Sequence, residues 1–136
     1  MQLPKEIHRR LAEEFRFVAE KMNETAELPR KLYFFSAIYS SVSRTLNQIW
    51  NPELALLHMV TNATYMAIQN QPPIPVEFPR RLPDELTIAT QKLAALFQQD
   101  TVESDDLYNL LARFAELAYV STGNGRYLFT KGLINV

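Results

Sequence analysis

Hydrophobic positions recur at spacings of three and four along most of the chain, the period that lines one face of a helix. Over 5–26, Ile7, Leu11, Phe15, Val18 and Met22 draw an apolar face, and Arg9, Glu13, Arg16, Glu20, Glu24 and Glu27 mark the side opposite. Over 30–50, Leu32, Phe35, Tyr39, Val42, Leu46 and Ile49 alternate strictly, and Phe34 and Ile38 add a second face. That helix is expected to be buried on two sides. Over 52–70, Leu54, Leu56, Leu57, Met59, Val60, Tyr65, Met66 and Ile68 occupy most of the circumference, the mark of a central helix or of an oligomer interface. Two further helices follow, 83–99 through Leu86, Ala89, Leu93, Leu96 and Phe97, and 104–119 through Leu107, Leu110, Leu111, Phe114, Leu117 and Ala118. The pattern predicts an all-α, up-and-down bundle of about five helices with the third at its centre.

The punctuation agrees with these boundaries. Pro4, Pro29, Pro52 and Pro83 each stand at the head of a periodic segment, where a missing N–H costs nothing. Asn51 and Ser104 read as N-caps, each followed closely by acidic residues that suit the positive end of a helix dipole. The first glycine is Gly123, so the body lacks the residue that tight hairpin turns need, and helices joined by Pro, Asn and Ser remain. Residues 71–82, Gln-Pro-Pro-Ile-Pro-Val-Glu-Phe-Pro-Arg-Arg-Leu, form a proline-rich connector. An extended polyproline II path across the bundle is expected there, starting the fourth helix at the far end. After residue 120, Gly123, Asn124 and Gly125 flanked by β-formers predict a short C-terminal hairpin or irregular tail.

Composition narrows the function classes. With 136 residues and 47% hydrophobic content the chain 1–136 is expected to be one domain with a true core. The absence of cysteine excludes disulfides, thiolate nucleophiles and iron–sulfur clusters, and slightly favours a reducing compartment. The opening residues are charged at once, so a cytoplasmic location is expected. The charge-free stretch 54–76 is interrupted by Thr61, Asn62, Thr64, Gln69, Asn70 and three prolines, too often to cross about 30 Å of hydrocarbon. No membrane partner is expected. A net charge of −1 also speaks against non-specific contact with nucleic acid.

Candidate chemistry is sparse. Glu24-x-x-Glu27 and Glu103-x-x-Asp106 resemble the Mg²⁺-holding carboxylate pairs of MazG-type pyrophosphohydrolases, since residues three apart on a helix point the same way. In that family the pairs face each other from neighbouring helices, whereas Glu24 and Glu27 continue a sign-alternating stripe of the kind that faces water. His8 and His58 are the only histidines, too few for a histidine metal site, and no Gly-x-Ser-x-Gly elbow exists. No metal, cofactor or catalytic residue is therefore assigned. The aromatic run Tyr33, Phe34 and Phe35, with Tyr39 and Tyr65, is read as core packing.

A polar groove is the sharper candidate. If the second and third helices form a hairpin about Trp50-Asn51-Pro52, reflection puts Arg44 level with His58 and Ser40 level with Asn62. Tyr33, Ala37, Ser40, Arg44 and Asn47 share one stripe, and His58, Asn62, Tyr65 and Gln69 another. Should the stripes meet, Ser40, Arg44, Asn47, His58 and Asn62 would line a site for an anionic ligand or a small enzyme's substrate, with His58 able to exchange a proton near neutral pH. The competing expectation is a hydrogen-bonded network that fixes register.

The final two helices followed by Gly123-Asn-Gly-Arg-Tyr-Leu-Phe-Thr-Lys-Gly-Leu133 are similar to the end of a winged-helix domain, a recognition helix with a glycine-tipped wing. That resemblance implies nucleic-acid binding through the C-terminal third. Its last helix, however, carries Asp105, Asp106 and Glu116 against Arg113, the wrong sign for phosphates. The leading expectation is a non-catalytic interaction or scaffold protein that forms a homodimer through leftover apolar surface.

Overall fold

Proline and asparagine set the helix starts. A computed structural model describes residues 1–70, 80–123 and 131–133. It contains α1 (Lys5–Asn23), α2 (Leu28–Leu46), α3 (Pro52–Gln69), α4 (Leu82–Phe97) and α5 (Ser104–Thr122), with no strand among the described residues. Pro52 is the first residue of α3, Pro29 and Pro83 lie in the first turns of α2 and α4, and Pro4 precedes α1. Asn51 caps α3 as its sequence position predicts, its side-chain oxygen accepting from the Leu54 N–H at 3.0 Å. Asn51→Ala is expected to destabilise the fold by about 1 kcal/mol, because it strips one orphan donor of its partner. Chemical denaturation, with Asn47→Ala outside a helix start as the control, measures it.

Ser104 is different. It is the first residue of α5 and not its cap, and its hydroxyl donates to the Glu53 carboxylate at 3.2 Å, tying the heads of α3 and α5 together. At the other end, α5 runs through Thr122, and Gly123 closes it in the left-handed conformation (φ 86°) with its N–H on the Val120 carbonyl. Residues 120–122, expected to lead into a hairpin, are thus the last turn of a helix ended by a glycine cap. The hairpin itself lies outside the described residues.

Direction alternates along the chain. Lys31 of α2 reaches the Met22 carbonyl of α1, and Arg10 reaches Thr45, so α1 and α2 are antiparallel. Gln98, just after α4, donates to the Ala12 carbonyl while Lys31 donates to Thr87, which sets α4 antiparallel to α1 and parallel to α2. Glu53 meets Ser104 and Thr64 meets the Phe114 carbonyl, so α3 and α5 run parallel. The up-and-down order holds. The helices close into a ring α1-α2-α3-α5-α4, with α2 and α4 also in contact across it.

Two expectations fail on this topology. The end of α3 and the start of α4 lie at the same end of the bundle, so the fourth helix does not start at the far end; the path of residues 71–79, expected to be extended polyproline II, lies outside the described residues. Nor is α3 central: it touches only α2 and α5, whereas α2 and α4 each have three neighbours. The apolar core runs through Phe15, Phe35, Phe97 and Phe114, with Phe15 edge-on to Phe97 (centroids 4.8 Å) and Phe35 tilted against Phe114 (5.6 Å).

Seven hydroxyls are buried in helices, and most return their proton to the preceding turn. Thr45, Thr61, Thr64, Thr87, Thr90 and Ser121 each donate to the carbonyl four residues back, at 2.7–3.0 Å. Ser41 instead donates to Glu14 on α1. A buried threonine satisfied this way behaves as a small branched hydrophobe. This is how α3 tolerates Thr61 and Thr64 on its inward face.

Candidate functional site

Arg44 and His58, the two charge-bearing candidates from sequence, turn to different neighbours. Arg44 is 65% exposed and turns to Glu14 of α1, with 3.6 Å between charges. His58 faces α2 from the other side, its ring 6.2 Å from that of Tyr39, which also meets Tyr65 edge-on at 5.4 Å. Reflection about the α2–α3 turn placed the levels correctly, since Tyr39 does sit opposite 58–65. The azimuth was missed: Tyr39 and Arg44 are five residues apart, about 140° around the helix. Ser40 and Asn62 are half-buried and Asn47 is an exposed C-cap of α2. Burial, helped by the neighbouring Tyr65, raises the Tyr39 pKa above its ordinary value.

Acids do not gather either. Glu24 pairs with Lys21 at 3.4 Å on the surface of α1, as its sign-alternating stripe predicts. Glu85 bridges Arg81 (3.1 Å) and Arg113 (2.9 Å), and Arg113 also holds Glu116 at 2.8 Å. Burial works against the Arg113 charge, but the hydrogen bonds it donates to the Glu116 and Glu85 carboxylates outweigh that and raise its pKa. That network spends the one cation of α5 on α4. Among the described residues no three His, Asp or Glu side chains cluster as metal ligands, and no helix is long and apolar enough to cross a membrane.

What the fold does assemble is an apolar face. The inward stripe of α3 is Leu54, Leu57, Thr61, Thr64 and Ile68, all buried, at spacings of three, four, three and four. Its outward stripe, Leu56, Met59, Ala63 and Met66, has the same spacing and is exposed throughout, Met59 by 65%. The helix turns two threonines inward and two methionines outward, against the usual partition.

No family model, curated protein or solved structure matches this chain. The reading of the face therefore rests on its own chemistry.

Parallel to α3, α5 exposes Tyr108, Ala112, Tyr119 and Thr122, with Ala115 half-buried in the same stripe. Between the two helices lies a groove of about 400 Å³, floored by Ala63, Ala67, Ala115 and Ala118 and rimmed by Leu56, Met59 and Tyr119. Among the described residues no charged side chain lines it. Its two threonine hydroxyls are already engaged: Thr64 donates to Val60 and Phe114 carbonyls, and Thr122 to the Tyr119 carbonyl. A small polar substrate would find only the Tyr119 phenol at the rim to orient it. Another helix would find small residues to approach and large ones to interlock with.

Sequence reasoning reached half of this surface. The all-round apolarity of α3 named Leu56, Met59 and Met66. The uncharged 108–112–115–119–122 stripe of α5 was legible at the same spacing but is masked by Asp105, Asp106 and Glu116 elsewhere on that helix. Leftover apolar surface was expected on α2, where Phe35, Ile38 and Val42 are fully covered and Tyr33 alone stands well clear of the core.

Proposed function

We propose that the protein is a non-catalytic interaction or scaffold protein that self-associates through the α3/α5 face. One observation carries this reading: α3 holds Leu56, Met59, Ala63 and Met66 in water while burying Thr61 and Thr64. Such a stripe repays its exposure only when another surface covers it. A lipid surface is a poor cover, because faces that bind anionic membranes are edged with Lys and Arg and α3 has neither. A second copy needs no opposite charge on a charge-free face and presents the same knobs and holes.

Light scattering or sedimentation over a concentration series tests this. The wild type is expected at twice 15.7 kDa, and Met59→Glu at 15.7 kDa with unchanged helicity and melting temperature, since Met59 contributes little to the monomer core. Burying an unpaired carboxylate in the contact is expected to weaken association by at least 100-fold. A wild type that stays monomeric to about 100 µM, far above the roughly micromolar range expected of a small specific contact, rejects the proposal.

A further inference from the structure

The outward residues of α3 also fix how two copies would meet, an inference that rests on the self-association reading above. Leu56, Met59, Ala63 and Met66 follow the three-four-three spacing of a coiled-coil seam, with Ala63, the smallest, near its middle. Two arrangements of α3 against its copy obey two-fold symmetry. In a parallel pair every residue meets itself, so Met59 would abut Met59 and Met66 would abut Met66. In an antiparallel pair centred on Ala63, residue levels sum to 126. Met59 then meets Ala67 of the other copy, and Met66 meets Val60. Ala63 meets itself at the two-fold axis in either arrangement, but the antiparallel one sets each large Met59 against the small Ala67 and each Met66 against the shorter Val60, which favours interdigitation. Antiparallel helices also bring opposite dipole ends together.

We infer that the protein docks a second copy of itself in an isologous contact, α3 antiparallel to α3 about Ala63, with each Met59 seated over the Ala67 end of the other copy's α3/α5 groove. The floor there is Ala67, Ala115 and Ala118, and Tyr119 forms its wall. The 18 residues of α3 span about 27 Å, and with α5 about 8–10 Å away the face projects to on the order of 500 Å² per copy before side-chain relief is added. Specific interfaces begin near roughly 600 Å² per partner, so the contact is of the small, reversible class, with a dissociation constant expected in the micromolar range. Among the described residues that line the groove, nothing charged must be desolvated to form it.

The chain has no cysteine, so single substitutions give clean cross-linking reporters. Ala63→Cys, Met59→Cys and Ala67→Cys are each treated with a short bis-maleimide at a concentration where light scattering shows the dimer, one variant carrying a mass tag. Ala63→Cys is expected to join to itself. Met59→Cys and Ala67→Cys are expected to join to each other when mixed and not to themselves, because in the antiparallel register two copies of residue 59 are separated by about 12 Å along the axis. Ala26→Cys, on the loop between α1 and α2, is expected to stay uncoupled. Self-coupling of Met59→Cys, or a dimer by mass in which none of the three α3 variants couples, overturns this geometry while leaving self-association standing. A monomeric wild type overturns both.

Discussion

Phe35→Ala is expected to cost about 3–5 kcal/mol, the range for removing a fully enclosed aromatic ring. Phe35 is 0% exposed and packs its ring against Phe114, joining α2 and α5 across the middle of a ring of helices in which they are not neighbours. No single helix can collapse into the space left, because α1, α3 and α4 are each held by other contacts. For a domain of this size that loss lowers the melting temperature by on the order of 10–20 °C. Total stability is only about 5–15 kcal/mol, so the variant sits near the edge of folding. Phe17→Ala is the comparison, since Phe17 is exposed and only carries Lys21 over its ring. It is expected within about 0.5 kcal/mol of wild type. Thermal and urea melts measure both, and a Phe35→Ala loss under about 1 kcal/mol would mean that α2 and α5 do not meet through the centre.

The second large effect belongs to Lys31. Its side chain is 3% exposed, and its ammonium donates to the Met22 carbonyl in the last turn of α1 (2.8 Å) and to the Thr87 hydroxyl of α4 (2.7 Å). One cation thereby fastens the end of α1 to the starts of α2 and α4. Lys31→Ala removes both bonds and the packing of a four-carbon stem, an expected loss of about 2–4 kcal/mol. Lys31→Met keeps the stem and deletes the buried charge, so its loss is expected to be smaller.

pH separates these roles. Burial pulls the Lys31 pKa below the ordinary 10.5, with Asp84 pulling partly the other way. Below the folded pKa, Lys31 is charged in both folded and unfolded chains and the burial cost is constant. Between the folded pKa and 10.5 the unfolded chain binds more protons, so stability rises with pH through that window. Wild type is therefore expected to gain on Lys31→Met as pH climbs toward 10.5. Tyr39 works in the opposite sense: its raised pKa keeps the folded phenol protonated above 10, and stability falls with pH there. Melts from pH 7 to 11 on wild type, Lys31→Met and Tyr39→Phe separate the two slopes. A Lys31→Met difference that does not move with pH contradicts the assignment.

Lys31 also shows where sequence reading ran short. Strict three-four alternation selected Leu32, Phe35, Tyr39, Val42 and Leu46 of α2; Leu32, Phe35 and Val42 are buried, but Tyr39 and Leu46 are only half-buried, and Lys31, Ile38, Ser41 and Thr45 complete the buried face. That face is rotated toward Ile38, the second face the pattern had marked. Hydropathy passed over Lys31 and Thr45 because they look like surface residues. Each is satisfied by a partner distant in sequence, Lys31 by Thr87 and Thr45 by Arg10, and no local pattern registers such partners. The same blindness separated Arg44 from His58, for a hairpin reflection gives height along the axis and not direction around it.

The amino-acid sequence by itself determined that five helices form, where prolines and Asn51 start them, and which stripes of α1, α4 and α5 are core. These are local matters of period, capping and glycine scarcity, legible within a turn or two of each residue. The tertiary structure alone decided that α3 lies at the rim, that α3 and α5 lie side by side, and that Leu56, Met59, Ala63 and Met66 are left uncovered. An all-round apolar helix has no preferred azimuth of its own. Its rotation is set by which neighbours fill the ring, and here a partner carbonyl on Phe114 and self-bonded hydroxyls let the threonine side turn inward and leave the methionine side facing out.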